Sequence, residues 1–253
     1  MVHLPPLPGA PGWSDDFSKL EAFALQDTRA LVAGGVDGIL FENYGDAPFT
    51  KHQVSSLTIS SMTRVILHCV KNLEIPFGVN ILRNDWRSAL SIAAVTGGAF
   101  IRANILSGAY LTEQGVIEGE GYSCMRFRYD LASIFGRMIA IFADAHSKHA
   151  QPLLEQPLAD AIKDLTERTG VDAVIITGTR TSAPTKLSDV KLALKVAGKS
   201  TIIVGSGVNP KNLRDFLPYC QGFIVGSYFK KNGKIDAPVD IERVKTLIKI
   251  ADK

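Results

Sequence analysis

The sequence predicts an α/β protein folded as a (β/α)8 TIM barrel, and three observations predict it. Eight short apolar runs alternate with longer amphipathic segments along almost the whole chain. The apolar runs are continuous stretches of Val, Ile and Phe, which is typical of strands buried on both faces of a parallel sheet. Segments four units apart also resemble each other, as in a barrel of two similar halves. The matching pairs are GGVDGILFEN at 34–43 with TGVDAVIITG at 169–178, and GAFIRAN at 98–104 with QGFIVGS at 221–227.

The alternative architecture is an open, doubly wound sheet. That fold commonly carries a GxGxxG turn after an early strand, and no such motif follows an early strand here. Eight evenly spaced units favour closure, and 253 residues is a common length for one barrel. We therefore predict a single domain over residues 1–253, without linkers or low-complexity segments.

Each strand is predicted where apolar residues run together, from MVHL at the start of the chain to GFIVGSY near its end. The predicted strands lie at 1–4, 36–43, 77–82, 99–106, 139–146, 171–177, 201–206 and 222–228. Amphipathic patterns between them predict helices. These lie near 15–33, 53–72, 86–96, 122–135, 158–169, 188–197, 210–217 and 239–251. A glycine-rich, acidic segment at 107–123 follows strand four, which predicts a lid over the mouth of the barrel.

Composition limits the class of protein. The chain is 46% hydrophobic and 21% charged with a net charge of +3, and it contains no block of like charges, so nucleic acid is not an expected partner. Three scattered cysteines suit a reducing compartment. No apolar run is long enough to span a membrane, and the start of the chain has no secretory pattern. We expect a cytoplasmic protein; peripheral membrane association and a homo-oligomer paired through outer helices both stay open.

The stretch TIIVGSGVNPKN at 201–212 predicts a phosphate-binding turn. Gly205 and Gly207 allow the backbone to approach a ligand closely, and Asn209 and Pro210 suit the N-cap and first position of a helix. Strand eight ends in a second glycine-serine corner, and barrels commonly bind phosphate after strands seven and eight. An ordinary βα turn is the alternative. The predicted phosphate-binding residues are Gly205, Ser206, Gly207, Gly226 and Ser227.

Polar side chains gather at the other predicted strand ends, where barrels place catalytic groups. Asp144 and His146 alternate on strand five, so both side chains are expected on one face. Together with Lys148 and with Glu42 on strand two, they form the predicted acid-base cluster. The predicted substrate-binding residues are His3, Asn80, Arg102, Asn104, Thr177 and Arg180.

A divalent metal is the competing use of these groups. Glu42, Asp144, His146 and His3 would supply a mixed set of carboxylate and imidazole ligands. No HxH or HExxH spacing supports such a site. We therefore predict no cofactor.

Several long motifs resemble those of the BtpA family, and the resemblance covers essentially the whole chain. They are MVHLPPLPGAP at 1–11, GVDGILFENYGDAPF at 35–49, EQGVIEGEGY at 113–122, IFADAHSKHA at 141–150, IIVGSGVNPKN at 202–212 and GFIVGSYFK at 222–230. The resemblance implies a barrel of the ribulose-phosphate-binding type. It also implies a link to photosystem I biogenesis, the role from which the family takes its name. The Asp-x-Lys-x-x-Asp signature of barrel decarboxylases is absent after Asp144.

Two functions follow as expectations. The first is an enzyme that acts on a small phosphorylated metabolite such as a sugar phosphate, by isomerisation or epimerisation, aldol cleavage or hydrolysis. The alternative is a non-catalytic factor for the biogenesis of membrane complexes. The C-terminal segment DIERVKTLIKIADK at 240–253 has the pattern of a closing barrel helix, and no strongly basic amphipathic helix supports membrane attachment.

Overall fold

A computed structural model describes residues 1–178 and 184–252. Its strands, in chain order, are β1 Val2–His3, β2 Ile39–Glu42, β3 Phe77–Asn80, β4 Phe100–Ala103, β5 Ala109–Thr112, β6 Gly115–Glu118, β7 Ala140–Ala145, β8 Ala150–Pro152, β9 Ala173–Ile176, β10 Thr201–Val204 and β11 Gly222–Phe223. Eight of them form one parallel sheet in the order β1-β2-β3-β4-β7-β9-β10-β11. Every neighbour in that order is the next barrel unit along the chain. The predicted TIM-barrel fold is confirmed.

The two edges of this sheet meet near the first residue. The Met1 amino group donates a hydrogen bond of 3.0 Å to the carbonyl oxygen of Val225, just beyond β11. A Cβ atom on Gly226 would lie 2.8 Å from Cε1 of His3, so the end of strand eight packs directly against the end of strand one. The eighth and first units of the barrel are therefore in contact.

The helices are α1 Phe17–Gly34, α2 Ser56–Val70, α3 Trp86–Thr96, α4 Gly121–Phe135, α5 Leu158–Lys163, α6 Leu187–Val196, α7 Leu213–Phe216 and α8 Ile241–Ala251. Side-chain caps fix where four of them begin: Asp16, Ser55, Asp85 and Asp240 each accept a hydrogen bond from a backbone N–H of the first turn. α5 continues without a break as one π-helical turn over Asp164–Thr169. The eight predicted helices agree with these bounds to within about three residues, apart from that change of hydrogen-bond pattern.

The seventh helix is shorter than predicted. It was predicted over 210–217, but α7 begins at Leu213 and spans four residues. Asn209 makes an Asx turn instead of an N-cap, because its side-chain oxygen accepts from the Lys211 N–H at 2.9 Å and its amide nitrogen donates to the Gly207 carbonyl at 3.1 Å. The prediction that a helix N-terminus starts at Asn209 and Pro210 is therefore wrong.

Alternate residues of each strand point into the barrel. Register pairs His3 with Glu42 and Glu42 with Asn80, so these three polar side chains occupy one layer at the carboxyl end of the sheet. Below them lies an apolar plug: Ala173, Ile175 and Ile203 cluster with Phe142 and Ile224, and the rings of Phe100 and Phe142 stack with centroids 4.6 Å apart. The barrel is therefore filled below its polar mouth, as is usual for this fold.

The predicted lid segment folds as a β-hairpin. β5 pairs with β6 across a turn at Glu113 and Gln114, where the Thr112 hydroxyl donates to the Gly115 carbonyl at 2.8 Å. β5 also pairs with β8, so the hairpin joins a three-stranded antiparallel sheet in the order β6-β5-β8. Ile105, Tyr110 and Ile117 form a small core beneath it. Its role as a lid remains a prediction.

The helices surround the sheet, and none in the described part of the chain combines the length and the apolar character that a bilayer crossing requires.

Candidate functional site

A cavity of about 310 Å³ opens at the carboxyl end of the parallel sheet. Two thirds of the residues predicted for the site line it: His3, Glu42, Arg102, Asn104, Lys148, Gly205, Ser206, Gly207, Gly226 and Ser227. Asn80 and Asp144 lie directly behind these walls, while His146 and Thr177 face a different cavity. Arg180 lies outside the described residues. The carboxyl ends of parallel barrel strands all lie on one side of the sheet, so most of the predicted residues lie together.

The two glycine-serine corners lie side by side at the cavity wall, because β10 and β11 are adjacent strands. A side chain would be unfavourable at each of the three glycines, for a different reason in each case. A Cβ on Gly205 would lie 2.4 Å from Cγ2 of Ile175 inside the barrel, and one on Gly226 would collide with His3. Gly207 has φ +67°, a conformation that favours glycine. The Gly207 carbonyl is occupied by the amide groups of Asn209 and Asn212.

Glu42 ends strand β2 and faces the cavity. Its Oε2 accepts a hydrogen bond of 2.5 Å from Nδ2 of Asn80, and its Oε1 lies 3.7 Å from Nε2 of His3. Burial, followed by the positive charges of the Met1 amino group and Lys230, lowers the pKa of His3 well below its usual range. His3 is therefore neutral at pH 7 and brings no positive charge to its contact with Glu42.

Arg102 and Asp144 form a buried, two-point ion pair. Nε and Nη2 of Arg102 donate to the two carboxylate oxygens at 2.9 and 2.8 Å, and Nδ2 of Asn104 approaches Asp144 at 3.3 Å. The Asp144 side chain has no exposed surface and does not line the cavity. Its position is that of a residue that orients Arg102 rather than one that contacts a ligand.

Lys148 reaches the cavity from the loop after β7, and its Nζ donates to the carbonyl oxygen of Gly205 at 3.0 Å. Burial lowers the pKa of this amine to about 8, and the charges of Arg102 and Arg83 add to the effect against the opposite pull of Asp144 and Glu42. Arg83 fixes the same loop, since its Nη2 donates to the Lys148 carbonyl and approaches Oγ of Ser147 at 3.4 Å.

His146 does not join the predicted cluster. Strand β7 ends at Ala145, and His146 has φ +62°, so the alternation that was expected to align its side chain with Asp144 stops one residue earlier. The imidazole contacts the ring of Tyr110, with centroids 6.3 Å apart. Thr177 lies on the same side and donates to the His146 carbonyl at 3.2 Å. Both residues line a neighbouring cavity under the hairpin.

Residues with polar groups outside the predicted set also line the mouth cavity: Tyr44, Arg83, Glu113, His149 and Tyr228. Tyr44 comes directly after Glu42 and Asn43, two polar residues at a predicted strand end, so its position in the sequence could have indicated it. Glu113 comes from the hairpin turn, which only the tertiary fold brings over the mouth. Four buried polar atoms at this site have no hydrogen-bond partner among the described residues: Nδ1 of His3, Oδ1 of Asn80, Nε of Arg83 and Oδ1 of Asn104. Such atoms are expected where a polar ligand or water binds.

The four groups considered as metal ligands do not converge. Asp144 is engaged by Arg102, and His146 faces the neighbouring cavity. Across residues 1–178 and 184–252, no three His, Cys, Asp or Glu side chains come close enough to hold a metal ion.

A family model described as BtpA family matches residues 1–253. The chain belongs to the BtpA family. Among its relatives, an uncharacterized protein of Pyrococcus furiosus is 42% identical over 250 residues, which cover 99% of this chain and 92% of that protein. The photosystem I biogenesis protein BtpA of Synechocystis is 39% identical over 248 residues, covering 98% of this chain and 85% of the cyanobacterial protein.

Solved structures agree with the fold of this BtpA-family protein. N-(5'-phosphoribosyl)anthranilate isomerase from Pyrococcus furiosus superposes with a TM-score of 0.56 over 90% of this chain and 94% of the isomerase. The sequence identity is 14%, so the likeness is one of fold alone.

Proposed function

We propose that this BtpA-family protein is an enzyme that binds a small phosphorylated metabolite, of the sugar-phosphate type, in the mouth cavity and transfers protons on it. One observation carries the proposal: the corners at Gly205–Gly207 and Gly226–Ser227 follow the seventh and eighth barrel strands and line the same cavity as Lys148. The loops after these two strands are the usual phosphate-binding position of a barrel.

The charges around the cavity support an anionic ligand. Among the described residues, the cations Arg83, Arg102 and Lys148 line it together with the carboxylates Glu42 and Glu113. Asp144 neutralises Arg102, whereas within the described part of the chain no carboxylate lies within 4 Å of the side-chain nitrogens of Arg83 or Lys148. Two cations are therefore available to a phosphate dianion in a partly dehydrated site, where such attraction is stronger than in bulk water.

Glu42 supplies the acid-base chemistry in this proposal. Its carboxylate faces the cavity, and the amide of Asn80 holds one of its oxygens. Neutral His3 lies 3.7 Å from this carboxylate, and Arg102 and Asn104 line the same cavity, where they would contact a hydroxyl or carbonyl group of the ligand. A carboxylate that removes a proton next to a fixed guanidinium is a common arrangement for general acid-base catalysis.

Thermal unfolding in the presence of inorganic phosphate tests whether the two glycine-serine corners bind phosphate. Phosphate at about 100 times its dissociation constant should stabilise the folded protein by about 2.7 kcal/mol. Ser227→Asp places a negative charge at the second corner and should abolish the shift. The same substitution at Ser60, which is exposed on α2, is the matched control and should leave it unchanged. A wild-type protein that shows no shift, or a shift that survives in the Ser227→Asp variant, would contradict the proposal.

A second candidate is a biogenesis factor without catalysis, and the Synechocystis relative favours it. The two functions differ in what they require of Glu42. If the protein acts by chemistry, Glu42→Gln should abolish its cellular role while phosphate still shifts the melting temperature. If the protein acts as a scaffold, the Glu42→Gln variant should support that role as well as the wild type does.

A further inference from the structure

We propose that Lys148 is a catalytic nucleophile whose Nζ forms an imine with the carbonyl carbon of a phosphorylated aldehyde or ketone. This inference rests on the proposed function and narrows its substrate class from phosphorylated metabolites in general to those with a carbonyl group. It also assigns Lys148 a covalent role, beyond a charge that attracts phosphate.

The partners of Lys148 support this role. Its Nζ donates to a neutral backbone oxygen, that of Gly205, and no carboxylate oxygen within residues 1–178 and 184–252 lies within 4 Å of it. The chain contains an internal comparison. Lys230 is fully buried and directly paired with the carboxylate of Asp27, which is the usual arrangement for a structural lysine. Lys148 lines a cavity without such a pair, so its amine is accessible to a ligand.

The neighbouring charges favour the reactive form. A lysine attacks a carbonyl only as the neutral amine. Burial and the guanidinium groups of Arg102 and Arg83 lower the pKa of Lys148 to about 8, so a useful fraction of the amine is neutral near physiological pH. The nearby cations therefore serve two purposes: they attract an anionic substrate, and they favour the neutral form of the Lys148 amine.

Nζ of Lys148 lies close to the proposed phosphate-binding corner at Gly205–Gly207, which suits a short substrate. Gly205, whose carbonyl accepts from Nζ at 3.0 Å, is the first residue of the first glycine-serine corner. A phosphate bound at that corner would leave the next atoms of the substrate beside the amine. In dihydroxyacetone phosphate, one methylene and the ester oxygen separate the carbonyl carbon from phosphorus, which suits this short distance.

The step is balanced without a redox partner. The nitrogen lone pair attacks the carbonyl carbon, the carbonyl π electrons move to oxygen, and one proton passes from the nitrogen to that oxygen to give a neutral carbinolamine. The hydroxyl then takes a second proton from solvent and leaves as one water, while the nitrogen lone pair forms the C=N bond of a protonated imine. The protonated imine withdraws electrons from the adjacent C–H bond, whose proton Glu42 accepts. Glu42 lines the cavity and is the same carboxylate that carries protons in the proposed function.

Borohydride trapping tests the imine. The full chain is incubated with dihydroxyacetone phosphate, reduced with sodium borohydride, and measured by intact mass and peptide mapping. The expected result is a mass gain equal to the ligand minus one water plus two hydrogens, located at Lys148. Lys148→Arg keeps the charge and should remove the adduct. Lys245→Arg, at an exposed lysine on α8, should retain it. No adduct in the wild type, or an equal adduct in the Lys148→Arg variant, would overturn the inference.

The two proposals fail in distinguishable ways. If inorganic phosphate stabilises the protein but no adduct forms, the imine is overturned and the phosphate site stands. If the Lys148 adduct forms equally well with unphosphorylated dihydroxyacetone and phosphate gives no thermal shift, the imine is supported and the phosphate site is overturned.

Discussion

At the residue scale, the charged amine of Lys148 destabilises the folded protein. Its pKa falls from an ordinary 10.5 to about 8 because burial and nearby guanidinium groups disfavour the charged form. The unfolded chain keeps this proton between pH 8 and pH 10.5, whereas the folded chain loses it. Protein stability should therefore rise with pH across that window through this group, and below pH 8 the full cost is present.

Lys148→Met should consequently stabilise the protein at pH 7. The substitution removes the destabilisation that corresponds to the pKa shift, and it also removes the hydrogen bond to Gly205. The free energy of unfolding should therefore rise by about 1 to 3 kcal/mol. The measurement is urea unfolding at pH 7 and at pH 10, and the difference between variant and wild type should shrink at the higher pH. An equally destabilised variant at both pH values would show that Lys148 is a structural residue.

Single residues also show where prediction from sequence fails. Glu42, Arg102 and Lys148 were correctly placed at the mouth, because a parallel barrel directs the ends of all its strands to one side. His146 was misplaced, because strand alternation was extended one residue beyond the end of β7. The loss of alternation depends on a positive φ at His146, and a histidine in the sequence gives no sign of it.

At the scale of elements, one buried ion pair joins α1 to the segment between β11 and α8. Asp27 on α1 accepts from the amine of Lys230 through one oxygen and from the N–H of Val239 through the other, at 2.7 Å for the latter. Both charged side chains are fully buried. This contact attaches the segment after strand eight to the first unit, next to the place where the sheet edges meet.

Asp27→Ala should lower the free energy of unfolding by about 3 to 5 kcal/mol, because it leaves the Lys230 charge buried without a partner. The double variant Asp27→Leu with Lys230→Met should recover most of that loss, short of about 1 kcal/mol for the orphaned N–H of Val239. Urea unfolding measures both. Lys245→Met is the control, since this exposed lysine pairs with Glu242 at the surface, and it should change stability by less than about 1 kcal/mol. A double variant no more stable than Asp27→Ala would contradict this account.

Element bounds were predictable where local chemistry decides them. Asp16, Asp85 and Asp240 are good N-cap residues, and the helices after them begin close to the predicted positions. The start of α7 was predicted three residues too early, because the side-chain amides of Asn209 and Asn212 donate to the Gly207 carbonyl and the helix begins after them. Strand eight was predicted to residue 228, but the ladder of β11 ends at Phe223 and Ser227 begins a short 3-10 turn.

At the scale of the whole molecule, the barrel explains why distant residues form one site. The sheet order follows the chain, so the eighth strand returns to the first, and His3 meets Gly226 although 223 positions separate them. Alternation and repeat patterns were sufficient to predict this fold. The hairpin was not predictable in detail, since its pairing with β8 joins segments about 40 residues apart.

The central claim is that the two glycine-serine corners hold a phosphate beside Lys148. A crystal structure of the protein soaked with dihydroxyacetone phosphate tests it most directly. The account predicts phosphorus density between Gly205–Gly207 and Gly226–Ser227, with the carbonyl carbon directed at Nζ of Lys148. Phosphate density in the cavity beside His146, or an empty mouth at a saturating concentration of ligand, would contradict it.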